Sequence, residues 1–296
     1  MRLVHLSDFH FDGSPDLRAA LDRLIDVAVA AEPDLVVVTG DLSADGRPAE
    51  LDAVAVALDR FGQIPRVILP GNRDLVPSVG PPGEARSLPL DSDLDYFLTL
   101  EPALGFGFGF DNADEGAPGA GDPAAVFVGR FGALEPVHAG DAVHVITVNS
   151  TPRLRSASLE RAARRMRRGP AGALRVLALH HGLLPVPGRK LRDGDLSHRA
   201  GDVLALLLDL EVDLALHGHI HRAHAWEITA GHHRLVVSSA GALVNDGRRD
   251  ASFNEIVVDG GRLEIWRRSV ETGRSTLLYE GDRAAGPLSG RNGGWS

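Results

Sequence analysis

Five short apolar runs in this 296-residue chain are each followed by side chains able to bind metals or protons. Asp8-Phe9-His10 follows residues 3–6, Gly40-Asp41 follows 35–38, and Gly71-Asn72-Arg73-Asp74 follows 66–69. His180-His181 follows residues 175–179, and His217-Gly218-His219-Ile220-His221 follows 212–216. In an extended segment Asp8 and His10 share a face, so a carboxylate and an imidazole there make two corners of a metal site. Any one of these clusters alone reads as a turn, a satisfied core histidine or a surface pair. All five, in this order, deliver oxygen and nitrogen ligands to one sheet edge, where open α/β sheets place their sites. The chain has no cysteine, which excludes thiolate chemistry, disulfides and cysteine-bound zinc or iron–sulfur clusters and leaves His, Asp, Glu and Asn for a metal.

The elements that must position these residues alternate in the first half, as strand–helix–strand units do. Residues 3–6, 35–38 and 66–69 read as strands. Between them Leu17, Leu21, Leu24, Ile25 and Ala28 recur at helical spacing, and 49–61 is helical with Pro48 suited to its first turn. Such runs predict a largely parallel sheet covered on both faces. From 76 to 122 the pattern dissolves into Pro- and Gly-rich sequence, including the Gly-Phe alternation over 105–110, expected to be an insertion or a lid. Strands are expected again at 125–128 and 143–148, a helix at 158–168, a strand at 175–179, a helix at 201–210 and a strand at 212–216. The last third (225–228, 234–238, 254–258 and 262–269) reads as strands without helices between them. A second, antiparallel sheet is expected there, giving an α/β two-sheet sandwich flanked by helices. One domain over 1–280 with a disordered tail over 281–296 completes the expectation.

Composition narrows the function classes. Thirty-one Lys+Arg against 40 Asp+Glu give a net charge of −9, and the 44% hydrophobic and 24% charged fractions are ordinary globular values. The negative charge argues against nucleic-acid or anionic-membrane binding by a basic field, so a small-molecule partner is expected. No apolar signal-peptide core stands at Met1 and no segment approaches the roughly 20 apolar residues of a membrane span, so a soluble, cytoplasmic protein is expected. The charge balance is compatible with a monomer or a dimer.

The five motifs resemble those of the calcineurin-like metallophosphoesterases, and the strands beyond residue 221 suit the second sheet of that fold. Within the superfamily, the compact form and the His180-His181 pair followed by Pro185 look like the class III cyclic nucleotide phosphodiesterases. The resemblance implies that Asp8, His10 and His221 hold one metal, that Asn72, His180 and His219 hold another, and that Asp41 bridges them. The candidate catalytic residues are Asp41, Asn72, Arg73 and His181; His181 either supports the metals or meets the substrate, or is simply the solvent-facing neighbour of His180. Such a mixed N/O set suits two divalent Mn, Fe or Zn ions better than Ca²⁺ or Mg²⁺. The implied activity is in-line hydrolysis of a small phosphodiester, such as a cyclic nucleotide, by a hydroxide bridging the metals.

One position departs from the common pattern. Where most such proteins carry a histidine after the Asn, this chain has Arg73, which grips phosphoryl oxygens but is a poor proton donor. Either the leaving group needs little protonation, or His181 or water supplies the proton. The UDP-2,3-diacylglucosamine hydrolases resemble this chain in carrying Asn-Arg-Asp there, which brings in nucleotide-linked pyrophosphate hydrolysis as an alternative. An inactive metal-binding scaffold is the other alternative. Asp74 either orients Arg73 or caps the following turn. Arg189-Lys190-Leu191-Arg192 either overhangs the site or is simply a basic loop. The seven arginines between 153 and 168 lie largely off an apolar stripe of Leu159, Ala162, Ala163 and Met166, as on a solvated helix face. His5, His217 and His224 have no motif position and are assigned to the core or surface, as is the pair His232-His233 in a hairpin turn.

Overall fold

The computed structural model describes residues 1–75, 122–244 and 250–283. Its strands are β1 (Arg2–Leu6), β2 (Leu35–Thr39), β3 (Arg66–Leu69), β4 (Val137–Ala139), β5 (Val143–Thr147), β6 (Leu174–Ala178), β7 (Leu214–His217), β8 (His224–Ala230), β9 (His233–Ser239), β10 (Ser252–Asp259), β11 (Arg262–Ser269) and β12 (Ser275–Asp282). Its helices are α1 (Pro15–Ala30), α2 (Pro48–Leu58), the short α3 (Asn72–Leu75), α4 (Pro123–Phe131), α5 (Ser156–Arg167) and α6 (Ala200–Asp209). No helix among the described residues is long and apolar enough to cross a membrane.

Two six-stranded sheets form, in the orders β12-β11-β10-β1-β2-β3 and β4-β5-β6-β7-β9-β8. Strand alternation sorts the apolar side chains into three cores. Leu3, Leu35, Val37 and Leu69 meet Val145, Val176, Leu214 and Val236 between the sheets. Their neighbours Val4, Leu6, Val36 and Val38 face outward, where α1 and α2 cover them with Leu21, Leu24, Leu51 and Val54. Ile146, Leu177, Ala215 and Val237 do the same on the other sheet beneath α5 and α6. Each parallel strand is therefore apolar on both faces, and the layering is helix, sheet, sheet, helix.

The two-sheet α/β sandwich agrees with the expectation, but its membership does not. The strands of the last third do not build a sheet of their own. β8 and β9 pair with each other antiparallel, and β9 extends the second sheet by lying parallel to β7. β10 pairs antiparallel with β1, so β10–β12 extend the first. Residues 125–128 are not a strand but lie within α4. There Asp122 accepts from the Ala124 N–H at 2.9 Å and Pro123 occupies the first turn, a helix-start signal that outranks the apolar run, while Phe127 is fully buried. Gly281 and Asp282, expected in the tail, belong to β12. The Gly-Phe alternation at 105–110 and the rest of the expected tail lie outside the described residues.

Candidate metal centre

The parallel strands of both sheets point their C-terminal ends the same way, and the expected residues sit two to four positions beyond them. Asp8 and His10 follow β1, Asp41 follows β2, Asn72 opens α3 after β3, His180 follows β6, and His219 and His221 follow β7. Asp8 and His10 are not extended. Both adopt left-handed backbone, and so do Asp41, His219 and His221; these make five of the seven non-glycine residues with positive φ among those described. That conformation costs on the order of 1–2 kcal/mol per residue. Its concentration here is what a site over-determined by its surroundings shows.

The surroundings are visible. Past the strand ends the first two loops stay paired, Asp8 N–H to Gly40 O at 2.9 Å, His10 N–H to Asp41 O at 3.0 Å and Phe11 N–H to Leu42 O at 3.1 Å. Asp8 also accepts the His219 backbone N–H at 2.9 Å, which ties β1 to the loop after β7 and so joins the two sheets. A Cβ on Gly71 would overlap the Asp41 carboxylate, and one on Gly218 would lie 2.6 Å from Asp8 Oδ2, so neither position admits a side chain. Asp74 is fully buried and accepts N–H groups of Gly71 (2.9 Å), Leu42 (3.2 Å) and Ser43 (2.9 Å) and the Ser43 hydroxyl (2.8 Å). It therefore caps and joins the loops that carry Asp41 and Asn72, the turn-capping reading of that residue.

All seven expected metal ligands converge. Asp8, His10, Asp41 and His221 form one group, and Asp41, His180 and His219 a second, with the ligand atoms of each within 4.8 Å of one another. His10 Nε2 lies 2.9 Å from His221 Nε2 and 3.6 Å from Asp41 Oδ2; His180 Nε2 lies 2.9 Å from Asn72 Oδ1, 3.2 Å from His219 Nδ1 and 3.4 Å from Asp41 Oδ1. Two donor atoms each about 2.1 Å from a common ion stand roughly 3.0–3.6 Å apart for angles of about 90–120°, so these spacings are close to those of a coordination shell. The carboxylate of Asp41 turns Oδ2 toward His10 and Oδ1 toward His180, so it faces both groups and is in place to be shared by them. His180 Nδ1–H donates to the buried Thr39 carbonyl at 2.7 Å, which leaves the Nε2 lone pair aimed into the cluster. Facing lone pairs of this kind fit a cation better than they fit one another.

Electrostatics point the same way. Burial opposes ionisation of Asp41, but His180 and His10 hold its carboxyl well below the usual range. Burial also opposes charge on His180, yet Asp41 and Asp8 outweigh it and push that imidazole up to about 9. The same exchange between Asp8 and His221 lowers the carboxyl and raises the imidazole against their burial. Without an ion, protons on these histidines stand in for the positive charge that two buried carboxylates require.

Around the cluster, Arg73 gives its backbone N–H to Asp41 Oδ1 at 2.8 Å, and the His10 imidazole, lowered chiefly by burial, is lowered a little further by the Arg73 guanidinium. His181 packs its ring 4.7 Å from that of His219 and 5.2 Å from that of His180. Arg189 donates to the Ile220 carbonyl and pairs with Asp195 at 3.0 Å, which fastens its basic loop to the wall of the site. The arginines of α5 are engaged elsewhere: Arg161 pairs with Glu135 at 3.0 Å and Arg167 reaches Asp209 at 3.5 Å. His5 and His217 are buried outside both ligand groups, His5 against Thr39 Oγ1 at 3.0 Å and His217 stacked on Trp226, and His224 packs edge-on against the same Trp226. His232 lies in the β8–β9 turn and His233 donates to or accepts from nothing in the site, its Nε2 lying 2.9 Å from the Val212 carbonyl. The parts missed in the sequence are Thr39, which acts through its carbonyl and carries no side-chain signal, and Ser150, in the loop after β5.

The fold of two facing sheets flanked by helices is shared with solved phosphatases. The structure resembles a purple acid phosphatase from yellow lupin (Lupinus luteus) seeds, with a TM-score of 0.61 and 15% identity over 96% of this chain. The chain spans 54% of that protein's length. It resembles a dimetal phosphatase from Danio rerio with a TM-score of 0.60 and 10% identity, over 94% of this chain and 98% of the other. It also resembles GAP50, the anchor in the inner membrane complex of Plasmodium, with a TM-score of 0.56 and 13% identity over 98% and 90% of the two chains. No curated protein matches the sequence. The sequence model of the calcineurin-like phosphoesterases matches residues 1–223, and the chain belongs to that family.

Proposed function

We propose that this protein is a dinuclear-metal phosphoester hydrolase that acts on small phosphodiesters, with Asp8, His10, Asp41 and His221 around one ion and Asp41, Asn72, His180 and His219 around the other. The observation that carries the reading is the Asp41 carboxylate, which offers one oxygen to each imidazole group. Two such ions, Mn, Fe or Zn by the mixed donor set, would supply Lewis acidity toward the phosphoryl group and an activated water as nucleophile. The chain's own residues do the positioning. Thr39 and Asp74 hold the ligand loops, Asp8 orients the His219 backbone, and Arg73 stands beside His10 where its guanidinium can clamp a phosphoryl oxygen.

Because a guanidinium keeps its proton, Arg73 does not protonate a leaving oxygen. That favours substrates whose leaving group departs as a stable anion, and it supports hydrolysis of a nucleotide-linked pyrophosphate as the second reading. The anchor among the structural neighbours shows that this fold also occurs in a protein with a structural role, so a scaffold is the outcome if turnover is absent. The metal-loaded protein is to be assayed on paired aryl phosphodiester, phosphomonoester and nucleotide-pyrophosphate substrates beside Asp41→Asn. Diesterase activity lost in the variant supports the proposal, a preference for the pyrophosphate selects the second reading, and metal without turnover refutes both.

A further inference from the structure

The loop after β5 brings a sixth strand end to the metal centre, and its Ser150 is not accounted for by the ligands or the clamp. Ser150 is buried, with a relative exposure of 3%. Its Oγ accepts the His181 backbone N–H at 3.2 Å and lies 2.8 Å from His181 Nδ1. A backbone N–H can only donate, so that contact uses a lone pair of Oγ and leaves the hydroxyl proton to be given away. Among the described residues the acceptor within reach is Nδ1. The opposite arrangement, with Nδ1–H donating to Oγ, would leave a buried hydroxyl proton with no acceptor. A Nδ1 that accepts puts the neutral ring's proton on Nε2. Among the described residues the ring's hydrogen bond is made at Nδ1, and His181 is only partly buried. It sits on a ring packed against His180 and His219, on the Asn72 side of the cluster.

We propose that Ser150 is a positioning residue that holds His181 as the Nε2–H tautomer, so that this imidazole meets a phosphoryl oxygen as a hydrogen-bond donor beside the second ion. The donation to substrate rests on the phosphoester-hydrolase reading; the tautomer does not. Arg73 and His181 would then grip the substrate from the His10 side and the His219 side of the cluster, one as a fixed cation and the other as a fixed neutral donor.

The test is ring ¹H–¹⁵N correlation spectra of histidine-labelled, zinc-loaded full-length protein, with the His181 signals identified by their loss in His181→Gln. The proposal expects an Nε2–H ring in the wild type, loss of that preference in Ser150→Ala and its return in Ser150→Thr. Inorganic phosphate is the binding probe: its dissociation constant should rise about tenfold in Ser150→Ala and recover in Ser150→Thr. In any diesterase assay the loss should fall on KM more than on kcat, because the bond is made in ground and transition states alike. An Nδ1–H ring in the wild type overturns the proposal, as does a Ser150→Ala variant with unaltered tautomer and phosphate binding. If no ester is hydrolysed while the tautomer and the phosphate response behave as expected, the hydrolase reading fails and the role of Ser150 stands.

Discussion

Replacing Asp74 by alanine should remove the clasp between the loop that carries Asp41 and the loop that carries Asn72. Its carboxylate accepts three backbone N–H groups and one hydroxyl, all within 3.2 Å and all inside a buried pocket. Orphaned buried donors cost about 1–3 kcal/mol each, so three backbone groups put the loss at roughly 3–6 kcal/mol after some relief by entering water. That is a large share of the 5–15 kcal/mol typical of a whole domain. Urea unfolding of the metal-free protein should show stability fall by that amount at unchanged slope, and metal content should fall with it because both loops bear ligands. Asp74→Asn separates charge from shape, since it returns one acceptor but turns an NH₂ toward backbone donors, and should lose about half as much. A loss under about 1 kcal/mol in Asp74→Ala, with metal content intact, would refute the clasp. The pH profile supplies an internal control. Burial and the nearby Asp41 push Asp74 up to about 6 in the metal-free protein. A carboxyl raised on folding contributes stability that is complete below its unfolded pKa of about 3.9 and is lost as pH rises through the folded value. Asp74→Asn should flatten that decline between about pH 4 and 6.

Three further outcomes are expected of the site. Gly218→Ala would place a methyl against Asp8 Oδ2 and the Ser7 hydroxyl, so metal binding measured by calorimetry should fall at least tenfold, and wild-type affinity would show that the backbone yields. In the metal-free protein His180 is raised to about 9 and His221 is raised as well, so both must release protons to bind a cation. Apparent zinc affinity should therefore climb between about pH 6.5 and 9, by up to tenfold per unit for each proton released, while the stability that charged His180 lends the metal-free protein is present below its unfolded value of about 6.5 and fades through 9; an affinity flat in pH contradicts this. Arg73→Ala should cut kcat/KM on an aryl phosphodiester by about 10²–10³, with Arg73→Lys restoring only part, whereas unaltered kcat and KM would remove Arg73 from the site.

The ligands are legible because parallel strands buried on both faces are near-continuous apolar runs, and residues just past the C-terminal end of such a run lie at the sheet edge where sites form. Asp41 and His180 can be placed from that rule with no knowledge of how the sheets pair. The partners of β8–β12 cannot. Which sheet a late strand joins, and in which direction, depends on free edges beside β1 and β7 that only the assembled fold defines: β10 lies antiparallel to β1, β9 parallel to β7. Extended-backbone reasoning groups Asp8 and His10 correctly, although the chain there is left-handed and reaches the same cluster by another path. α4 reads as a strand because Ala124–Ala125–Val126–Phe127–Val128 is apolar at either period, and the decisive signal is the Asp122-Pro123 start preceding it. The supports of the site, Thr39 through its carbonyl and Ser150 through contacts 31 residues away, leave no local pattern to read.

Anomalous diffraction from crystals of the protein loaded with manganese or zinc would locate the ions at the shared carboxylate. Two ions are expected roughly 3.5–4 Å apart, one ligated by Asp8, His10 and His221, the other by Asn72, His180 and His219, with Asp41 shared between them. A single ion, or two ions that Asp41 does not bridge, would contradict the dinuclear centre.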